Sequence, residues 1–87
     1  MKSSVVTVRN EEGLHAKPAN IFSKEALKFK SEIYMMKNDG EKHYNPKRII
    51  SLLGMGVVKG DRLTIVAEGE DEVVAVNSLV KVINSLT

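Results

Sequence analysis

The stretch Glu12-Gly13-Leu14-His15-Ala16-Lys17-Pro18-Ala19 separates a β-branched run from a helical one, and its reading decides what surrounds it. Gly13 tolerates backbone angles that other residues resist, which permits a sharp bend just before the histidine. A helix follows, since Ala16, Ala19, Phe22, Ala26 and Phe29 recur at helical spacing. With Ala16 as the first helical residue, His15 takes the cap position, where Ser, Thr, Asp or Asn is preferred. Pro18 falls in the first turn, where a missing N–H costs no helical hydrogen bond. The amides of Ala16 and Lys17 then stay unpaired beside the imidazole, at the positive end of the helix dipole. Lys17 adds a full positive charge. A nucleophilic imidazole beside such an anion cradle is suited to accept a phosphoryl group. Spacing alone leaves a second reading open, an exposed loop histidine ahead of an ordinary helix.

Outward from this stretch, Ser4-Val5-Val6-Thr7-Val8 reads as a first strand ended by the polar Arg9-Asn10-Glu11-Glu12. The first helix runs from about Ala16 to Phe29, with Ile21 off its apolar stripe and near the histidine. Ser31 to Met36 reads as a second strand, followed by a turn at Asn38-Asp39-Gly40 in which glycine supplies the positive φ. Glu41-Lys42-His43-Tyr44 is expected to return as a short third strand, with His43 a surface histidine. Asn45-Pro46 is a helix-start signal, a good cap followed by proline at the first helical position.

The helix that follows carries Ile49, Ile50, Leu52 and Leu53, and Gly54-Met55-Gly56 ends it. Four aliphatics in five positions exceed one buried stripe of a short helix. Part of the set therefore faces solvent or a partner, unless the helix is sunk deep in the core. After the Lys59-Gly60-Asp61 turn, Arg62 to Ala67 alternates as a last strand. Gly69-Glu70-Asp71-Glu72 opens a final helix with acidic residues at its start, where the dipole favours them. Its apolar face is wide: Ala75, Val76, Leu79, Val82, Ile83 and Leu86. The order β-α-β-β-α-β-α predicts an α+β fold, one antiparallel sheet covered on one side.

Composition narrows the function classes. A chain of 87 residues is expected to form one domain, residues 1–87, with a core sufficient to fold alone. Thirteen basic against eleven acidic residues give a net charge of only +2, scattered along the chain, which argues against nucleic-acid binding. There is no cysteine, hence no disulfide framework and no thiolate chemistry. Two histidines without cysteine make a zinc site a poor reading. No long apolar run or signal-like start points to secretion or to a membrane.

Gly13-Leu14-His15-Ala16-Lys17-Pro18-Ala19 resembles the Gly-Leu-His-Ala-Arg-Pro-Ala signature of the HPr family, the histidine phosphocarriers of the bacterial phosphoenolpyruvate:sugar phosphotransferase system. The resemblance extends through Ser31-Glu32-Ile33, Lys59-Gly60 and Ala67-Glu68-Gly69-Glu70-Asp71-Glu72. It implies an open-faced β-sandwich, a four-stranded antiparallel sheet with three helices on one face. It also implies a cytoplasmic phosphoryl carrier that is a co-substrate and not itself an enzyme, without cofactor or metal, and monomeric. His15 would take the phosphoryl group on Nδ1 from phosphorylated enzyme I and pass it to an enzyme IIA domain. Ala16 and Lys17 would hold the phosphoryl oxygens, and Ile21, Ile49, Ile50 and Leu53 would form the partner-docking patch. Two other readings keep the fold: a regulatory docking module, and a carrier for a nitrogen-related or dihydroxyacetone-kinase branch.

Three departures from the family pattern stand out. Lys17 replaces an arginine, offering a point charge where the family has a planar fork. Glu12 sets a carboxylate near His15, where it is expected to raise the imidazole pKa and oppose an incoming phosphate unless it points into water. Arg48 stands where some relatives carry a regulatory serine, and Ser51 lies one turn later, inside the helix.

Overall fold

The computed structural model describes residues 1–86; Thr87, counted in the expected domain, lies outside the described residues. Six elements follow one another: β1 (Lys2–Thr7), α1 (Ala16–Ala26), β2 (Glu32–Lys37), α2 (Ile49–Gly54), β3 (Arg62–Glu68) and α3 (Glu72–Ser85). The sheet has the order β1-β3-β2, and both pairings are antiparallel. Strand alternation explains its two faces. Val6, Ile33, Met35, Leu63, Ile65 and Ala67 point to the helices and into one buried cluster with Phe22, Leu52, Val76 and Leu79. Val5, Tyr34, Met36, Thr64 and Val66 alternate onto the other face, where no helix packs. α3 lies across β1 and β3, α1 packs on α3, and α2 packs on α1.

The expected four-stranded sheet is corrected to three strands. The segment Glu41 to Tyr44 contributes only one bridge, with the Met35 and Tyr44 amides donating to each other's carbonyls at 2.8 and 2.9 Å. On its other edge β2 stays paired with β3 to its end, where the Asn38 amide donates to the Arg62 carbonyl at 2.7 Å and the Arg62 amide donates to Asn38 Oδ1 at 2.9 Å. The polar Glu41, Lys42 and His43 have no apolar face to bury, so nothing extends the ladder beyond Tyr44. His43 is exposed but not idle, since its ring stacks on Tyr34 at 4.1 Å. Asn38, and not Gly40, takes the positive φ of this turn, at 55°. Asparagine tolerates that region better than most residues.

Two helix boundaries also differ from expectation. α1 stops at Ala26, and Phe29 packs half-buried against the core from the following loop. Asn45 does not cap α2. Its Oδ1 accepts the Lys47 amide at 3.0 Å in a local turn, and the helix starts at Ile49 behind Arg48, whose side chain makes no cap bond. Asparagine's side chain competes for the backbone in this way, which is why it marks turns as readily as caps. At α3, only Glu72 lies in the first turn; its Oε1 accepts the Gly69 amide at 3.2 Å. Asp71 sits at the cap but turns its carboxylate away, accepting from the Lys30 and Ser31 amides at 2.8 and 2.9 Å and from the Ser31 hydroxyl.

No helix among the described residues is long and apolar enough to cross a membrane.

Candidate functional site

The loop before α1 is held from beneath. Gly13 is buried with φ 60°, and a Cβ there would stand 2.2 Å from the Val57 carbonyl oxygen. That oxygen accepts the Leu14 amide at 3.3 Å. Asn10 closes the bend from the other side: its carbonyl accepts the Gly13 amide at 3.2 Å, and its Nδ2 donates to the Gly13 carbonyl at 3.0 Å. Leu14 is fully buried. Anchored by Gly13 and Leu14, the chain carries the next three residues outward, and His15, Ala16 and Lys17 are all exposed.

His15 occupies the cap of α1 in an extended conformation, φ −118° and ψ 159°, with no side-chain cap bond. Ala16 follows with φ 48°, in the left-handed region that residues with a Cβ seldom enter. Such a conformation costs on the order of 1–3 kcal/mol and persists where the surroundings over-determine it. Here the buried Leu14 on one side and the buried Pro18 and Ala19 on the other supply that constraint. The amides of Ala16 and Lys17 have no backbone or side-chain acceptor among the described residues. They lie at the positive end of α1, beside the imidazole and the exposed ammonium of Lys17.

The two acidic neighbours behave differently. Glu11 is paired with Lys59 at 2.6 Å, and that ammonium holds its carboxyl below the usual value. Glu12 is exposed and makes no ion pair among the described residues, so it stands in water as the second of the two expectations had it.

Apolar side chains are also exposed on α1 and α2, two helices that pack on each other. Ile21 on α1 is 41% exposed, and on α2 Ile49, Ile50 and Leu53 are 37%, 82% and 42% exposed. Leu52 alone of the α2 residues is buried. The helix is therefore not sunk in the core, and its surplus of aliphatics is presented outward. Arg48 is exposed at the cap of α2, while Ser51 is half-buried with its hydroxyl oxygen accepting the Asn45 amide at 2.9 Å.

The family model for the phosphorylation site of the phosphotransferase HPr component matches residues 2–85. The chain belongs to the HPr family. It is 43% identical over 79 residues to phosphocarrier protein HPr of Mycoplasma pneumoniae, covering 91% of this chain and 89% of that one. It is 40% identical over 79 residues to the HPr-like protein Crh of Bacillus subtilis, covering 91% of each. The crystal structure of HPr-C-His from Thermoanaerobacter tengcongensis matches with a TM-score of 0.93 at 37% identity, over 99% of this chain and 94% of that one. An HPr-family chain thus carries its histidine at a helix cap just ahead of a left-handed Ala16, on a loop braced by a contact that residue spacing did not predict.

Sequence reasoning missed the bracing residues. Val57 acts through a backbone contact with a segment far away in the chain, which leaves no pattern in either segment, and Asn10 closes the bend locally from within a polar run that reads only as a loop. Lys37 lies one residue beyond the strand expected over Ser31 to Met36. Its alternation with Ile33 and Met35 was the available signal that its stem shares their face.

Proposed function

We propose that this chain is a phosphocarrier of the phosphotransferase system, accepting a phosphoryl group on His15 from phosphorylated enzyme I and passing it to enzyme IIA domains. The observation that carries this reading is the exposed His15 imidazole beside two amides without acceptors. In the transfer, an imidazole nitrogen lone pair forms the new N–P bond as the bond between phosphorus and the donor's nitrogen breaks. With the proton held on the other ring nitrogen, nothing has to be abstracted first. The Ala16 and Lys17 amides and the Lys17 ammonium offset the charge of the phosphoryl oxygens. The chain serves as a cytoplasmic monomer, with the patch of Ile21, Ile49, Ile50 and Leu53 docking on each partner in turn. A carrier must release its partners, and a small patch with modest affinity suits that.

Incubation with phosphoenolpyruvate and purified enzyme I, followed by intact mass, tests the reading. One phosphoryl group is expected, labile in acid and stable in base, absent from His15→Ala. Label that persists in that variant, or that maps to His43, overturns it. The relatives named Crh keep a second reading in view, a regulatory docking module; binding to enzyme I without any label would favour that one.

A further inference from the structure

α2 lacks the local features that hold a short helix. It has six residues, no side-chain cap bond, no acidic residue in its first turn and no basic residue in its last. Helices far longer than this are marginal on their own. Its packing is thin as well, because Ile49, Ile50 and Leu53 face outward and Leu52 alone is buried. The missing cation at its C-terminus comes from another element. Lys37, the last residue of β2, follows Ile33 and Met35 onto the helix-bearing face of the sheet. Its Nζ donates to the Met55 carbonyl at 2.7 Å and reaches the Gly56 carbonyl at 3.5 Å. Met55 is the C-terminal cap residue, so its carbonyl is an orphan of the helix end, where a positive charge also complements the dipole, and Gly56 lies just beyond.

The same segment supports the histidine loop. One residue beyond Gly56, the Val57 carbonyl accepts the Leu14 amide and abuts Gly13. Asp61 secures the far side, its carboxylate accepting the Val58 amide at 2.9 Å and Asn38 Nδ2 at 3.2 Å. Met55 to Val58 is therefore a strap with the docking helix at one end and the His15 loop against its middle. Lys37 at the end of β2 holds one side of it, and Asn38, the next residue, holds the other through Asp61.

We infer that Lys37 is a positioning residue for phosphoryl transfer, fixing the docking face of α2 relative to His15 without touching either the phosphoryl group or the partner. This rests on the carrier reading above. The ammonium contributes donors and charge where α2 has none of its own, so its loss releases the helix end while the sheet and α3 stay in place.

The experiment compares the full chain with Lys37→Met, which keeps the stem, and Lys37→Arg, which keeps the charge. Transfer from phosphorylated enzyme I is followed alongside amide hydrogen exchange. For Lys37→Met, the KM for the carrier should rise about tenfold at unchanged kcat, the size expected for a lost hydrogen bond to a charged group. Exchange over residues 49–57 should quicken by a similar factor while β1, β3 and α3 keep their protection. Lys37→Arg should restore both to within about twofold of the parent. Unchanged KM, or unchanged exchange over 49–57, overturns the inference. Exchange that quickens across the sheet as well makes Lys37 an ordinary stability residue and also overturns it. A parent chain that takes no label defeats the carrier reading and with it the transfer role; the exchange measurement still decides whether Lys37 holds the helix.

Discussion

Gly13 packs against Val57 so closely that the glycine's missing side chain is part of the site: a Cβ would stand 2.2 Å from the Val57 oxygen and 2.9 Å from its carbonyl carbon. The contact is backbone on backbone, so neither side can swing away. It joins the loop carrying His15 to the strap that ends α2. Substitution should therefore damage stability and the site together. Gly13→Ala must both hold a φ of 60° with a Cβ and push the strap aside. Strain and overpacking of this kind each cost about 1–3 kcal/mol. The thermal midpoint is expected to fall by more than about 10 °C for a domain of this size. A midpoint within a few degrees of the parent would mean that the loop relaxes freely.

The proposed docking patch makes a graded prediction. Ile50, the most exposed of the four, can be replaced by Glu without a change in midpoint, yet affinity for enzyme I should weaken by about tenfold or more, since about 1.4 kcal/mol is one decade. Leu53→Glu should weaken binding similarly with a small loss of stability, because more than half of that side chain is covered. Leu52→Ala should behave oppositely, costing about 2–4 kcal/mol of stability as a core truncation. Chemical denaturation and calorimetric titration with enzyme I separate the three. Full-strength binding by Ile50→Glu would remove α2 from the docking surface.

Asp71 ties the start of β2 to the start of α3 and should make stability depend on acid. Its carboxyl is lowered from 3.8 to about 2, first by the Ser31 hydroxyl and then by the Lys30 amide, with the Ser31 amide adding to them against partial burial. Between those values the folded chain binds fewer protons than the unfolded one, so stability falls as the pH falls. The contribution is fully present above about pH 4 and is lost on the way down to about pH 2. Asp71→Asn should melt below the parent at pH 7, and the gap should close as the pH approaches 2. A gap that stays constant with pH would show that the contacts do not favour the ionised form.

Kinase control through α2 is expected to be absent. Arg48 offers no hydroxyl at the position where some relatives carry a regulatory serine, and the half-buried Ser51 oxygen is occupied by the Asn45 amide. Incubation with ATP and an HPr kinase should leave the mass unchanged. A phosphate placed on Ser51 by fragmentation would overturn this, and would require the turn at Asn45 to open first.

The His15 motif, the three helices and three of the four expected strands were legible because each is a local pattern: a bend with a cap, a 3.6-residue stripe, a two-residue alternation. Ile21 off its stripe and the surplus aliphatics of α2 were legible for the same reason, since periodicity says which positions a helix has no room to bury. The fourth strand was not legible. Whether Glu41 to Tyr44 adds a ladder along the edge of β2 away from β3 depends on tertiary packing, and Tyr44 alone bridges that edge, at Met35. Asn45-Pro46 read as a cap and proved to be a turn, because the Asn45 side chain accepts the Lys47 amide instead of starting the helix. Sequence by itself thus determined the order of the three helices and three strands and which histidine stands at the head of α1, because these follow from steric and hydrophobic preferences of neighbouring residues. Only tertiary structure decided the brace of that histidine on Val57, the left-handed Ala16 and the clamp of Lys37 on α2. The brace and the clamp are contacts between segments whose separate sequences say nothing of one another, and Ala16 is left-handed because burial fixes Leu14 on one side of it and Pro18 on the other.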